Sequence, residues 1–137
     1  MPRRVLVIDD EPRILEIVRY FLEQAGLEVE TYGRAEEGLE AARKGPFDVA
    51  IVDIVLGGRT SGYDVAGRLK KIRKSEETPV LFISSKVEMA DLFLENYDGR
   101  AEFVLKPFKK EGLLAKVDTL LGGGGRQARL AQRPRTG

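Results

Sequence analysis

Val49-Ala50-Ile51-Val52 is an unbroken apolar run, and the residue that stops it is Asp53. A short run without polar alternation fits a strand buried on both faces, as in a parallel sheet covered by helices on either side. In open sheets of that kind, ligands gather in the crevice outside the carboxyl ends of the strands. Asp53 therefore stands where chemistry is done. The run Val5-Leu6-Val7-Ile8 has the same character and ends on Asp9-Asp10. If the two strands are neighbours, three carboxylates meet at one edge. Like charges so close raise each other's pKa unless a cation sits among them, and hard carboxylate oxygens suit Mg²⁺ or Mn²⁺.

The rest of the chain supplies the matching parts. Glu11-Pro12 reads as a helix start, followed by Ile14, Leu15, Val18, Phe21 and Leu22 at helical spacing and by Gly26 as the stop. Asp10 is a further candidate to cap that helix. Leu27 to Thr31 alternates as a short strand. Gly33 opens a second helix whose stripe of small residues, Ala35, Leu39 and Ala42, predicts weak packing; Gly45-Pro46 ends it. The strand Phe47–Val52 leads through Asp53 into a glycine-rich loop ending at Gly62, then a helix with Val65, Leu69 and Ile72 inward. Val80 to Ile83 is a fourth strand ending on Ser84-Ser85, Lys86 to Tyr97 a less regular helix, and Ala101 to Leu105 a fifth strand ending on Lys106-Pro107. The last helix, about Lys109 to Leu121, carries Leu113, Leu114, Val117, Leu120 and Leu121. Five strands alternating with five helices predict an α/β fold, a five-stranded parallel sheet with right-handed crossovers and helices on both faces.

With 137 residues there is room for one domain with a real core. The expected division is a domain over 1–121 and a flexible tail over 122–137, because four successive glycines from Gly122 cannot hold a helix. The tail carries Arg126, Arg129, Arg133 and Arg135 and no acid. Arginines without interleaved aromatics give weak electrostatics, so no nucleic-acid partner is expected. Neither cysteine nor histidine is present. That removes disulfides, thiolate and imidazole metal sites, the usual general base and any phosphohistidine on this chain. No signal peptide or spanning run appears, so the expectation is a cytoplasmic protein without a membrane partner.

Carboxylates, hydroxyls and lysine remain to do chemistry. A carboxylate can accept a phosphoryl group as an acyl phosphate, a bound metal can neutralise the phosphoryl oxygens, and a lysine and a hydroxyl can each hold one. Asp53, Asp9 with Asp10, Lys106 and Ser84 fit those parts in turn. The sequence resembles the receiver domain of bacterial response regulators from about Arg3 to Leu121. The resemblance is carried by Val-Leu-Val-Ile-Asp-Asp-Glu, Ile51-Val52-Asp53 with Leu56, Pro79 to Ser84, and Phe103-Val104-Leu105-Lys106-Pro107-Phe108, in that order. It implies a flavodoxin-like (βα)₅ fold and phosphorylation of Asp53 by a partner histidine kinase or phosphotransfer protein. It also implies Mg²⁺ held by Asp10, Asp53 and the Val55 backbone carbonyl, with Asp9 behind them, and a cis Lys106-Pro107 bond. Ser84 and Lys106 would bind the phosphoryl group, and Phe103 would turn inward as the hydroxyl moves, although a phenylalanine in a strand is also simply core.

Two departures from the family pattern stand out: Gly57 replaces a proline, and Gly62 arrives one residue late, so a longer loop is expected. Ser85 stands where alanine is common. The resemblance implies that Val55 and Lys86 occupy the positions that overlook the approach of a hydrolytic water; neither can accept its proton, so a long-lived phosphorylated state is expected. A receiver over 1–121 is expected to leave no space for an output module. Action through protein binding is then expected, on a face built from the helix at Lys86–Tyr97, the fifth strand and the last helix, where Leu92, Phe93, Leu94 and Tyr97 exceed one buried stripe. Two competing functions are an aspartate-nucleophile phosphohydrolase, disfavoured because Val55 stands where a second acid would be needed, and an interaction module that takes no phosphate.

Overall fold

The structure, a computed structural model, describes residues 2–56, 60–72, 78–86, 88 and 100–122. Five strands, β1 (Arg4–Ile8), β2 (Glu28–Tyr32), β3 (Val49–Asp53), β4 (Val80–Ser84) and β5 (Ala101–Leu105), form one sheet in the order β2-β1-β3-β4-β5. Every pairing is parallel. The described helices are α1 (Pro12–Gln24), α2 (Ala35–Lys44), α3 (Gly62–Ile72) and α4 (Lys110–Leu120). The chain winds outward from β1 to β2, then crosses back to β3 and continues to β4 and β5. The reversal leaves a crevice between the ends of β1 and β3, so the strand order alone brings Asp9, Asp10 and Asp53 together.

Alternate residues of each strand face opposite layers. Leu6, Ile8, Val52 and Phe82 pack with Leu39, Val65 and Leu69 beneath α2 and α3. Val5, Val7, Ile51, Leu81 and Ile83 pack with Val18, Leu22, Leu113 and Val117 beneath α1 and α4. Because both layers are covered, every residue of β3 and β4 is buried, which is why those strands read as unbroken apolar runs. The edge strand β2 is less buried, with only Val29 well covered, and its sequence mixes polar with apolar residues.

Several boundaries differ from the sequence reading. β2 runs one residue later than Leu27–Thr31, and Asp53 is the last residue of β3 rather than the first beyond it. The expectation that α2 packs weakly is wrong. Gly38 lies against β1 so closely that a Cβ there would sit 2.4 Å from Ile8 Cδ1. The small stripe allows a close helix-to-strand approach, and Leu39 and Ala42 are buried beside it. The helix expected over Lys86–Tyr97, including Leu92, Phe93, Leu94 and Tyr97, lies almost wholly outside the described residues, as does the tail from 123 onward. Among the described residues no helix is long and apolar enough to cross a membrane.

Candidate functional site

The register aligns the strand ends into one platform. Ile8 lies opposite Val52, Asp53 opposite Ile83, and Ser84 opposite Leu105. Beyond the strands, the Ile54 N–H donates to the Ile83 carbonyl at 2.9 Å and the Lys106 N–H to the Ser84 carbonyl at 2.8 Å. Lys106 is thereby held beside β4, and its bond to Pro107 is cis.

Asp9 is fully buried. Its Oδ1 accepts the Glu11 N–H at 2.9 Å, turning the chain from β1 into α1. The helix cap is therefore Glu11, with no capping bond from its own side chain, and Asp9 rather than Asp10 supplies the stabilising carboxylate. Asp53 Oδ1 accepts the Val55 N–H at 3.3 Å, while Oδ2 lies 3.4 Å from Lys106 Nζ. The same ammonium is 3.0 Å from Glu11 Oε2 and 3.2 Å from Asp9 Oδ2. The buried Ser84 Oγ accepts the Lys86 N–H at 3.0 Å, which leaves its own proton to donate. Asp10, Glu11, Asp53, Val55, Ser84, Ser85, Lys86 and Lys106 line a cleft of about 300 Å³.

A larger hollow of about 490 Å³ lies between β2 and α2, lined by Arg4, Glu30 and Tyr32 among others. Several of its polar groups are paired already. Arg4 pairs with Glu30, which also accepts from the Tyr32 hydroxyl, and the Arg4 guanidinium stacks on Phe47. Among the described residues, the acid cluster, the buried hydroxyl and the lysine converge in the smaller cleft.

Electrostatics single out the same place. Burial, reinforced by the charge of Asp9, pushes the Asp53 carboxyl up from 3.8 to about 6 against the pull of Lys106. Burial likewise raises Asp9, although the Glu11 N–H and Lys106 oppose it. For Lys106 burial acts to lower the pKa, but Glu11, Asp9 and Asp53 together outweigh it and the ammonium is raised. Excess negative charge held out of water is what a cation would relieve. Asp9, Asp10, Glu11 and Asp53 each offer an oxygen, all within 4.8 Å of one another. Asp9 Oδ2 is buried and makes no hydrogen bond, its contact with Lys106 being an ion pair only. An all-oxygen donor set that includes a buried oxygen without a hydrogen bond fits Mg²⁺ or Mn²⁺.

The structure thus brings together Asp9, Asp10, Asp53, Ser84, Lys106, Val55 and Lys86. Phe103 is half-buried opposite Phe82, packed on the core beneath α2 and α3, and does not line the cleft. The family model for the response regulator receiver domain matches residues 5–118. The chain belongs to that family. Among curated receiver-containing relatives, the DNA-binding response regulator MtrA of Mycolicibacterium smegmatis is 30% identical over 117 residues, 85% of this chain and 50% of that protein. Regulatory protein VanR of Enterococcus faecium is 32% identical over 121 residues, 88% of this chain and 51% of its own length. The chain spans about half the length of the curated relatives it matches. Of solved receiver structures, the chemotaxis protein CheY4 of Vibrio cholerae superposes with a TM-score of 0.79 at 28% identity, covering 88% of this chain and 99% of that one. The response regulator TrrA of Thermotoga maritima, solved in complex with Mg²⁺-BeF, gives 0.74 at 30% identity over 86% of this chain and 98% of its own.

Two residues of this receiver's site escaped the sequence reading. Glu11 was visible as an acid beside Asp9-Asp10, but its fitness for a helix start hid its reach to Lys106. Gly62 stands out in the sequence only as a glycine that arrives one residue late. A Cβ there would lie 2.5 Å from the Asp53 carbonyl oxygen and 2.8 Å from Ile54 Cα. Its N–H donates to the Ile54 carbonyl at 2.8 Å, and Val55 pairs with Ser61 across the loop. The glycine thus meets the backbone of Asp53 directly.

Proposed function

We propose that this receiver is a phosphorylatable signalling switch, with Asp53 as the phosphoacceptor and a histidine kinase or phosphotransfer protein as the donor. The observation that carries the reading is the convergence of Asp9, Asp53 and Lys106 within ion-pair distance at the switch point of the sheet. An Asp53 oxygen forms a bond to phosphorus while the donor's bond to phosphorus breaks, its electron pair leaving with the donor. The carboxylate needs no base, because it carries no proton to lose. Lys106 neutralises one phosphoryl oxygen and the Ser84 hydroxyl donates to another.

Asp10, Asp53 and the Val55 carbonyl would hold Mg²⁺, with Asp9 behind them. Bound there, the ion would offset the charge of the phosphoryl oxygens and orient them for in-line attack. The Val55 N–H on Asp53 Oδ1 supports that assignment, since in an extended residue the N–H and C=O leave the chain on the same side. The domain is assigned to 1–121. It catalyses only its own phosphorylation and dephosphorylation, and acts in the cytoplasm through a downstream protein bound near β5, Phe103 turning inward as Ser84 closes on the phosphoryl group.

Incubation of the full chain with acetyl phosphate and Mg²⁺, followed by intact mass, tests this. One added phosphoryl group, absent in Asp53→Asn, is expected. An unchanged mass supports an interaction module that takes no phosphate, and continuous release of phosphate from the donor supports a phosphohydrolase.

A further inference from the structure

We propose that Glu11 is a latch on Lys106, a positioning residue that holds the ammonium in the unphosphorylated site and surrenders it when a phosphoryl group arrives. The inference rests on the reading of Asp53 as the phosphoacceptor. Of the three carboxylates around Lys106 Nζ, Glu11 is the nearest, at 3.0 Å against 3.2 Å for Asp9 and 3.4 Å for Asp53. Its backbone N–H is fixed by Asp9 Oδ1 and its side chain is not spent on capping α1, so the turn aims a free carboxylate across the mouth of the cleft.

The three partners differ in how easily they can let go. The Asp9 side chain has no exposure and that of Asp53 only 5%, whereas that of Glu11 is 59% exposed. An ion pair with one solvated partner is weak and is replaced by water at little cost. Asp9 and Asp53 have no such exit. A phosphoryl group on Asp53 adds negative charge beside Glu11, which repels the glutamate toward solvent, while the phosphoryl oxygens offer the compact ammonium a better acceptor. The latch therefore opens in the direction the reaction requires. Until it opens, Glu11 competes with the donor for Lys106, and its charge opposes an anionic donor. Removing the contact should speed phosphorylation by about two- to fivefold, the scale of an ion pair with one exposed member.

Glu11→Gln removes the charge. Glu11→Asp keeps the charge but shortens the arm by one methylene, so that it falls short of Lys106. Each full-length chain is phosphorylated by acetyl phosphate in saturating Mg²⁺ and followed by intact mass. In parallel, nitrogen NMR of the Lys106 ammonium, identified by its loss in Lys106→Arg, reads the contact in metal-free, unphosphorylated protein. Both variants should accelerate phosphorylation to a similar extent and move the Lys106 resonance. A Glu11→Asp chain that behaves as the parent in both measurements would overturn the latch in favour of general electrostatics. A Glu11→Gln chain that is slower and needs more Mg²⁺ would overturn it in favour of Glu11 as a metal ligand. If the parent is phosphorylated and neither variant differs from it, the latch alone falls; if the parent takes no phosphoryl group, the phosphoacceptor reading falls and the latch with it.

Discussion

Replacing Asp53, the proposed phosphoacceptor, should make the metal-free protein more stable. In Asp53→Asn the side chain keeps its size and loses its charge. In the folded protein Asp53 titrates at about 6 instead of 3.8, through burial first and the charge of Asp9 second. A folded pKa above the unfolded one means that ionising the group works against folding. The cost is absent below about pH 4, grows through the interval up to 6 and is complete at 7. A shift of roughly two units corresponds to about 3 kcal/mol at 1.36 kcal/mol per unit, which water at the mouth of the cleft reduces to about 1–3 kcal/mol. For a domain of this size that is several degrees in Tm. Urea denaturation followed by far-ultraviolet circular dichroism, in chelator, should show the variant more stable than the parent at pH 7 and nearly equal to it at pH 4. Saturating Mg²⁺ should then close the gap at pH 7 by stabilising the parent. A variant no more stable than the parent at pH 7, or a gap that does not shrink on acidification, would refute the claim that unrelieved charge is stored at Asp53.

Further outcomes follow from neighbouring residues. Lys106→Met leaves Asp9, Glu11 and Asp53 facing one another without the shared ammonium, so metal-free stability at pH 7 should fall by about 3 kcal/mol and recover in part on acidification, as read by urea titration across pH. Gly62→Ala drives a methyl group into the Asp53 carbonyl, costing about 1–3 kcal/mol by denaturation and slowing phosphorylation from acetyl phosphate. Val55 and Lys86 both line the cleft and neither accepts a proton from water, so the phosphorylated parent should decay slowly at neutral pH in Mg²⁺ and Val55→Asn with Lys86→Glu should hasten it; loss within seconds in the parent contradicts this. On phosphorylation, amide exchange should change most between Lys86 and Lys110, and a change confined to α1 and α2 would argue against a partner surface around β5.

What could be read from the sequence divides along physical lines. Strands β1, β3 and β4 were legible because burial on both faces demands an unbroken apolar run, and the polar residue that ends the run marks the sheet edge. That logic points to Asp9, Asp53 and Ser84, whereas Lys106 follows β5, which is only half-buried and carries Glu102 within it. It serves less well at β2, an edge strand whose residues are mostly only partly buried, and it fails for glycine. Gly38 against Ile8 and Gly62 against Asp53 are required by the separation of two backbones, a quantity fixed only when elements from distant parts of the chain have packed. The same holds for charge. Asp9 and Asp10 are adjacent and chemically identical, yet one is fully buried and the other exposed, because successive side chains at the end of a parallel strand leave on opposite sides. Glu11 follows one step later, at the turn, and comes out over the cleft. The pattern Asp-Asp-Glu therefore places three acids at three depths of one negative field: a fully buried carboxylate at Asp9, an exposed one at Asp10 and a largely solvated one at Glu11. Only the presence of the acids is written in the sequence; their depths come from the turn into α1.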